Sequence, residues 1–201
     1  MIKKNRFDEY AHGVRELMDT KRFRHTMAVA YTAQAMAMAF GEDYAQAGIA
    51  GLLHDCAKQL GDQRLLRICQ KNNIPITDCE RRNVSLLHAK AGAAMAASDF
   101  GVTDEAILSA IRYHTTGRPG MTRLEQIIFL ADYIEPGRYR APRLPEVRQM
   151  AFKDLDECCY MVLDSMMAYL AESEDDLDMT TKEAYDYYKF IHEKKQEDCH
   201  E

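Results

Sequence analysis

Residues 51–58 read Gly51-Leu52-Leu53-His54-Asp55-Cys56-Ala57-Lys58, and this stretch decides the fold because it loads two polar ligands onto the end of an apolar helix. The spacing predicts a helix from Asp43 to about Ala57 that ends on His54-Asp55. Its small and apolar residues call for burial, which carries an imidazole and a carboxylate out of water. An ionised Asp in that setting is costly unless something positive stands beside it. Alone the dipeptide is a weak signal, since such pairs arise by chance in a sizeable minority of chains this long.

The same problem recurs on either side. His25 lies in an alanine-rich helix, Lys21 to Phe40, and Asp132 closes the apolar run Ile127-Ile128-Phe129-Leu130-Ala131. A lone His25 would more often be a packed core residue, and a lone Asp132 an ion pair with Arg138 or Arg112. The ordered set His25, His54, Asp55 and Asp132 favours a metal, because imidazole and carboxylate together suit iron, manganese, cobalt or zinc. His88 and His114 sit on otherwise apolar helices and form a second layer. Either would bind a second metal, meet a phosphate, or be structural. Arg22 stands three residues before His25, Lys58 three after Asp55 and Arg138 six after Asp132, each within reach of a phosphate held on the metal.

Helical periodicity extends through the chain without any sustained period of two, so the expected class is all-α. Further helices are expected over Arg6–Met18, Asp62–Asn72, Leu86–Phe100, Asp104–His114 capped by Thr103, and Arg123–Ile134. Gly41, Gly101 and Pro136-Gly137 serve as stops, with Thr20 as N-cap of the second helix and Thr122 with Glu125 as a capping box. Pro145 opens a long helix to about Leu170. An acidic linker, residues 172–178, then leads to a second capping box at Thr180 and Glu183. Met27, Met36, Met38, Met161, Met166 and Met167 are expected in the core, and His12, His192 and His200 on the surface.

Composition narrows the function classes. At 201 residues the chain suits one domain with its own core. No apolar run is long enough for a membrane span, and the basic N-terminus lacks the apolar segment of an export signal, so the expected location is the cytoplasm. The six Cys show no metal-finger spacing and are expected as reduced, buried thiols. Residues 171–201 hold eleven acidic and four basic residues, leaving the rest of the chain nearly neutral. No basic stripe offers a nucleic-acid surface.

Beyond single residues, the pattern Arg22-Phe23-Arg24-His25, the stretches 51–58 and 86–92, the run from Ala110 to Arg138 and residues 146–156 resemble the YqeK family. These are HD-domain hydrolases of bacteria that split diadenosine tetraphosphate symmetrically. The resemblance covers roughly residues 15–170 and implies an HD-domain helical bundle over residues 1–170, with residues 171–201 as an acidic linker and a C-terminal helix packed on the same domain. It implies iron, with manganese or cobalt as substitutes, in one or two ions held by His25, His54, Asp55 and Asp132, with His88 and His114 at a second metal or the phosphates. It also implies a dinucleoside polyphosphate substrate lying along Arg22, His25, Asp55, Lys58, Gln59, Leu60, Gly61, His88, His114, Thr115, Asp132 and Arg138. Leu177, Asp178, Met179 and Thr180 would complete that site. There, however, the family's Pro is missing and Asp186 stands where an Asn is expected.

The chemistry expected is water activated on metal, attacking an inner phosphorus while Lys58 and Arg138 offset phosphate charge and Asp55 or Asp132 takes the proton. A related hydrolase of a nucleoside monophosphate or an alarmone, and a nucleotide sensor without turnover, are the alternatives. The assembly is left open, with a homodimer among the states allowed.

Overall fold

The computed structural model describes residues 5–172 and 177–198, and every regular element among them is helical. The chain runs α1 (Asn5–Arg15), α2 (Thr20–Phe40), α3 (Tyr44–Leu53), α4 (Asp62–Lys71) and α5 (Asp78–Arg82). A 3₁₀ turn (Val84–Leu87) leads into α6 (His88–Ser98), then α7 (Glu105–Tyr113), α8 (Arg123–Ile134), α9 (Leu144–Met150), α10 (Leu155–Glu172) and α11 (Met179–Asp198).

The α8 helix is the hub. Leu124 to Ala131 are all buried, and the helix packs against α2, α3, α7 and α10. Each fully buried Ile or Leu on it contributes about 1.5–3 kcal/mol of burial, so the segment delivering Asp132 is firmly held. The α2 and α3 helices cross closely because neither carries bulk at the contact. A Cβ on Gly51 would lie 2.9 Å from the Ala30 Cα. The alanines of α2 therefore set a backbone separation, and with it the distance from His25 to His54. At the other end α11 packs along α10, where the Tyr188 hydroxyl accepts hydrogen bonds from Met121 N and Gln126 Nε2 at 3.1 and 3.2 Å.

Several boundaries differ from expectation, each for a local reason. Asp19, not Thr20, caps α2 by accepting from Arg22 N, and Asp104, not Thr103, caps α7. The third helix ends at Leu53, so His54 and Asp55 lie in the turns that follow. The helix expected over Leu86–Phe100 starts as a 3₁₀ turn and becomes α-helical only at His88. The helix expected from Pro145 to Leu170 is broken at 151–154, where Asp154 turns back to accept from Glu157 N at 3.1 Å. Asp178 takes the capping role expected of Thr180, accepting from Thr180 N at 2.8 Å. The short α5 went unforeseen although Thr77 and Glu80 form a full capping box. Thr122 and Glu125 form theirs as expected.

Two side chains also depart from expectation. Met38 is exposed, two residues on from buried Met36 and so turned to the outer face of α2. His192 is no bare surface residue: its Nδ1 pairs with Glu157 at 2.8 Å and its ring stacks on Tyr160. Residues 173–176 of the acidic linker and His200 lie outside the described residues.

Candidate metal centre

Four helices and one turn bring six ligating side chains to one point. His25 comes from α2, His54 and Asp55 from the turns after α3, His88 from the first residue of α6, His114 from the end of α7 and Asp132 from α8. Three of the imidazoles are oriented identically, by donation from Nδ1 to the carbonyl three residues earlier. His54 bonds Gly51 O at 2.6 Å, His88 bonds Ser85 O at 2.6 Å and His114 bonds Ile111 O at 2.8 Å. For His25 the acceptor is the buried Glu135 carboxylate, 3.2 Å from Nδ1. Each ring thus spends its proton on Nδ1 and turns the Nε2 lone pair inward, the tautomer a metal ligand needs.

What those lone pairs face is unfavourable without a cation. His25 Nε2 lies 3.1 Å from Asp132 Oδ1 and 3.7 Å from Asp55 Oδ2. His54 Nε2 lies 3.3 Å from Asp55 Oδ2 and 4.0 Å from Asp132 Oδ1. Both Nε2 atoms are buried with no hydrogen-bond partner among the described residues. On the far side of the same carboxylate, Asp55 Oδ1 lies 3.4 Å from His88 Nε2 and 3.6 Å from His114 Nε2, and these two nitrogens are 3.3 Å apart. Electron-rich atoms converge from every side, a donor set that fits a divalent metal ion. Asp55 stands between two such groups with one oxygen toward each.

The electrostatics agree at the two carboxylates and at His88. Burial opposes ionisation of Asp55, yet the flanking His54 and His114 hold its carboxyl well below the usual carboxylate range. Asp132 is likewise lowered against its burial, by the His25 ring beside it and by His54. For His54 burial disfavours the cation, but the Asp55 and Asp132 carboxylates prevail and raise it. His88 is pushed down to about 3 by burial, with His114 and Lys58 adding to the effect. Two ionised carboxylates and neutral imidazole at His88 are the states in which these groups ligate metal.

Around this core the cations divide. Arg22 Nη1 holds Asp55 Oδ2 at 2.8 Å and Arg138 Nη2 holds Asp132 Oδ1 at 2.7 Å. Lys58 Nζ sits 3.3 and 3.4 Å from the two His88 ring nitrogens, and burial lowers its pKa. Gln59 turns its amide to Asp19. Leu60 is half-buried in the smaller apolar cluster, Gly61 is the exposed N-cap of α4, and Thr115 is half-buried in the turn after α7. No hydrogen bond or ion pair among the described residues links Leu177–Thr180 to the cluster.

Glu135 and Arg148 were missed by sequence reasoning. Glu135 follows Asp132 by one helical turn, a spacing that could have flagged it. The Arg148 guanidinium donates to the carbonyls of Ile134, Glu135 and Arg138 at 2.9, 2.7 and 2.9 Å, which fixes the loop carrying Glu135 and Arg138. That interaction reaches from α9 back across the preceding loop to the end of α8, a separation of 10 to 14 residues, and left no local signal. A groove of about 680 Å³ opens beside His25 and Glu135.

Comparison with known proteins agrees with this geometry. The HD domain family matches residues 22–137. The chain is 40% identical over 157 residues to a symmetrical bis(5'-nucleosyl)-tetraphosphatase of Bacillus subtilis (strain 168), covering 78% of this chain and 83% of that protein. It is 32% identical over 186 residues to a Staphylococcus aureus (strain NCTC 8325 / PS 47) protein of the same name, covering 92% and 95%. A solved structure from Clostridium acetobutylicum, described as an HD superfamily hydrolase involved in NAD metabolism, superposes with a TM-score of 0.87. It shares 38% identity and covers 90% of this chain and 96% of that one.

Proposed function

The chain belongs to the HD-domain family, and we propose that it is a metal-dependent symmetrical bis(5'-nucleosyl)-tetraphosphatase that splits diadenosine tetraphosphate into two ADP. The observation that carries the metal reading is the pair of buried, unpartnered Nε2 atoms of His25 and His54 turned toward two ionised carboxylates.

We assign His25, His54, Asp55 and Asp132 to one ion and Asp55, His88 and His114 to a second. Iron is the assignment, with manganese or cobalt as substitutes, because a mixed imidazole and carboxylate set suits these metals. Metal bound there would supply Lewis acidity and lower the pKa of water from about 16 toward 7.

The protein's own groups do the rest. In the overall reaction, water adds to one of the two inner phosphorus atoms and that atom's bond to the central bridging oxygen breaks. Each half departs as ADP, one with the water oxygen and the other with the bridging oxygen. Arg22 and Arg138 stand beside Asp55 and Asp132 and would meet phosphate oxygens next to them. Lys58, whose ammonium is already partly stripped of water, would offset charge that builds on the phosphate. Asp132, the more accessible carboxylate at 23% side-chain exposure against 4% for Asp55, is assigned the water proton.

Residues 1–170 are read as the hydrolase domain with α11 packed on it. Cys56, Cys69, Cys158 and Cys159 are free, buried thiols, which supports a reducing compartment such as the cytoplasm.

The test is product identity with metal analysis. Protein purified without chelator should contain a divalent metal and convert diadenosine tetraphosphate to ADP alone. Asp55→Ala should lose both metal and turnover. Release of ATP with AMP would overturn the symmetrical reaction, and full activity in the Asp55 variant would overturn the metal assignment.

A further inference from the structure

A dinucleoside tetraphosphate has two equivalent nucleotide halves, and the centre described above accounts for only the phosphates around the scissile bond. The groove beside His25 is built differently. Its cations Lys21, Arg24 and Arg140 have no ion-pair partner among the described residues, whereas Arg22 and Arg138, which also line it, are committed to Asp55 and Asp132. The two acids in its wall are already engaged. Asp19 accepts from Arg22 N and the Gln59 amide, and Glu135 bonds His25 and Gly137 N. The groove is thus a region of net positive charge touching the metal ligands.

One aromatic ring completes it. Tyr139 is 79% exposed, the most exposed large apolar side chain among the described residues, and the Arg140 guanidinium lies 5.4 Å from its ring centroid. An aromatic face left in water beside cations is the pairing that stacks a nucleobase while gripping its phosphates. The groove volume of about 680 Å³ is of the size that holds a small ligand. Free ADP carries roughly three negative charges at neutral pH, and the groove offers three unpaired cations.

We propose that this groove is the subsite for one nucleoside diphosphate half of the substrate, with Lys21, Arg24 and Arg140 on its phosphates and Tyr139 stacked on its base. The other half lies across the metal centre, on the side of Lys58 and His114. This deepens the hydrolase reading and rests on it. It accounts physically for symmetrical cleavage: a half gripped at its base and its two phosphates sets the third phosphate beyond the bridge, so the bond between the halves lies at the metal.

Two measurements test it on the metal-loaded protein. Tyr139→Ala, Arg140→Ala and the pair Lys21→Ala with Arg24→Ala alter exposed positions only, so the fold should be retained. Tyr139→Ala should raise KM for diadenosine tetraphosphate about tenfold with kcat little changed, and the cationic variants should do so in a salt-dependent way. Calorimetric titration with ADP should find two sites per chain in the wild type, one of them lost or weakened in each variant while the other is unchanged. A single ADP per chain in the wild type, or variants with unaltered KM and stoichiometry, would overturn the subsite. Failure of the wild type to produce ADP from the dinucleotide would instead overturn the hydrolase reading, and the ADP count would still report on the groove.

Discussion

Glu135 shows how one side chain can govern a centre it does not ligate. Its carboxylate fixes the His25 ring through Nδ1 and raises the basicity of Nε2, while its other oxygen is held by Gly137 N. Glu135→Gln keeps an acceptor but removes the charge, and metal affinity should fall about ten- to hundredfold in a competition titration. Unchanged affinity would mean that Glu135 only packs. Asp154 makes a different point, away from the centre. Burial raises its pKa, but the hydrogen bonds from Lys195 and from Glu157 N outweigh that and lower it. A lowered folded-state value means a stabilising contribution present above the unfolded pKa of about 3.9, and lost as pH falls through the folded value. Asp154→Asn should therefore melt below the wild type at neutral pH, and the gap should close as the buffer is taken below about pH 4. A gap that stays constant with pH would show that the ionised form contributes nothing.

At the scale of elements, the metal centre is a consequence of how closely helices approach. The α2 and α3 helices meet at Gly51 and Ala30, with no room for a methyl group between backbones. Gly51→Ala should force them apart and cost about 1–3 kcal/mol, a fall of several degrees in melting temperature. It should also weaken metal binding, because His25 and His54 ride on the two helices that separate. Normal melting in this variant would refute the close-crossing account. The break between α9 and α10 has a similar role, since it lets α9 lay Arg148 under the loop that presents Glu135 and Arg138 while α10 packs on α8. An unbroken helix from Pro145 would carry α10 elsewhere relative to that loop.

For the whole molecule, four helices and the turn after α3 converge on one cluster of like-polarity atoms, so folding without a cation brings lone pairs and carboxylates together at a cost. Metal that binds only the folded state adds stability, about 2.7 kcal/mol when present at a hundred times its dissociation constant. Stripping with chelator should lower the melting temperature by several degrees, and restoring metal should recover it. An apo protein as stable as the loaded one would argue that the six side chains are satisfied by themselves. The same convergence leaves Cys56 buried behind Asp55, its thiol pushed up to about 12 by burial with Asp55 adding to it. That keeps a potential soft ligand protonated and out of the site.

What the sequence determined by itself is local. Helical period located most of the helices, with the caps read at Thr20, Thr103 and Thr180 one or two residues off, and apolar runs ending in His54-Asp55 and in Asp132 marked polar groups that burial would leave in need of a cation. These are properties of neighbouring residues, so they survive in one dimension. The distances between α2, α3, α6, α7 and α8 were settled only by packing, because a Gly-to-Ala contact across the chain leaves no local periodicity. So were the pairing of Glu135 with His25, the use of both Asp55 oxygens, and the contrast between Arg22 and Arg138, which are committed to carboxylates, and Lys21, Arg24 and Arg140, which have no ion-pair partner among the described residues. An arginine reads the same in sequence whether or not a carboxylate stands opposite it; only the fold supplies the partner.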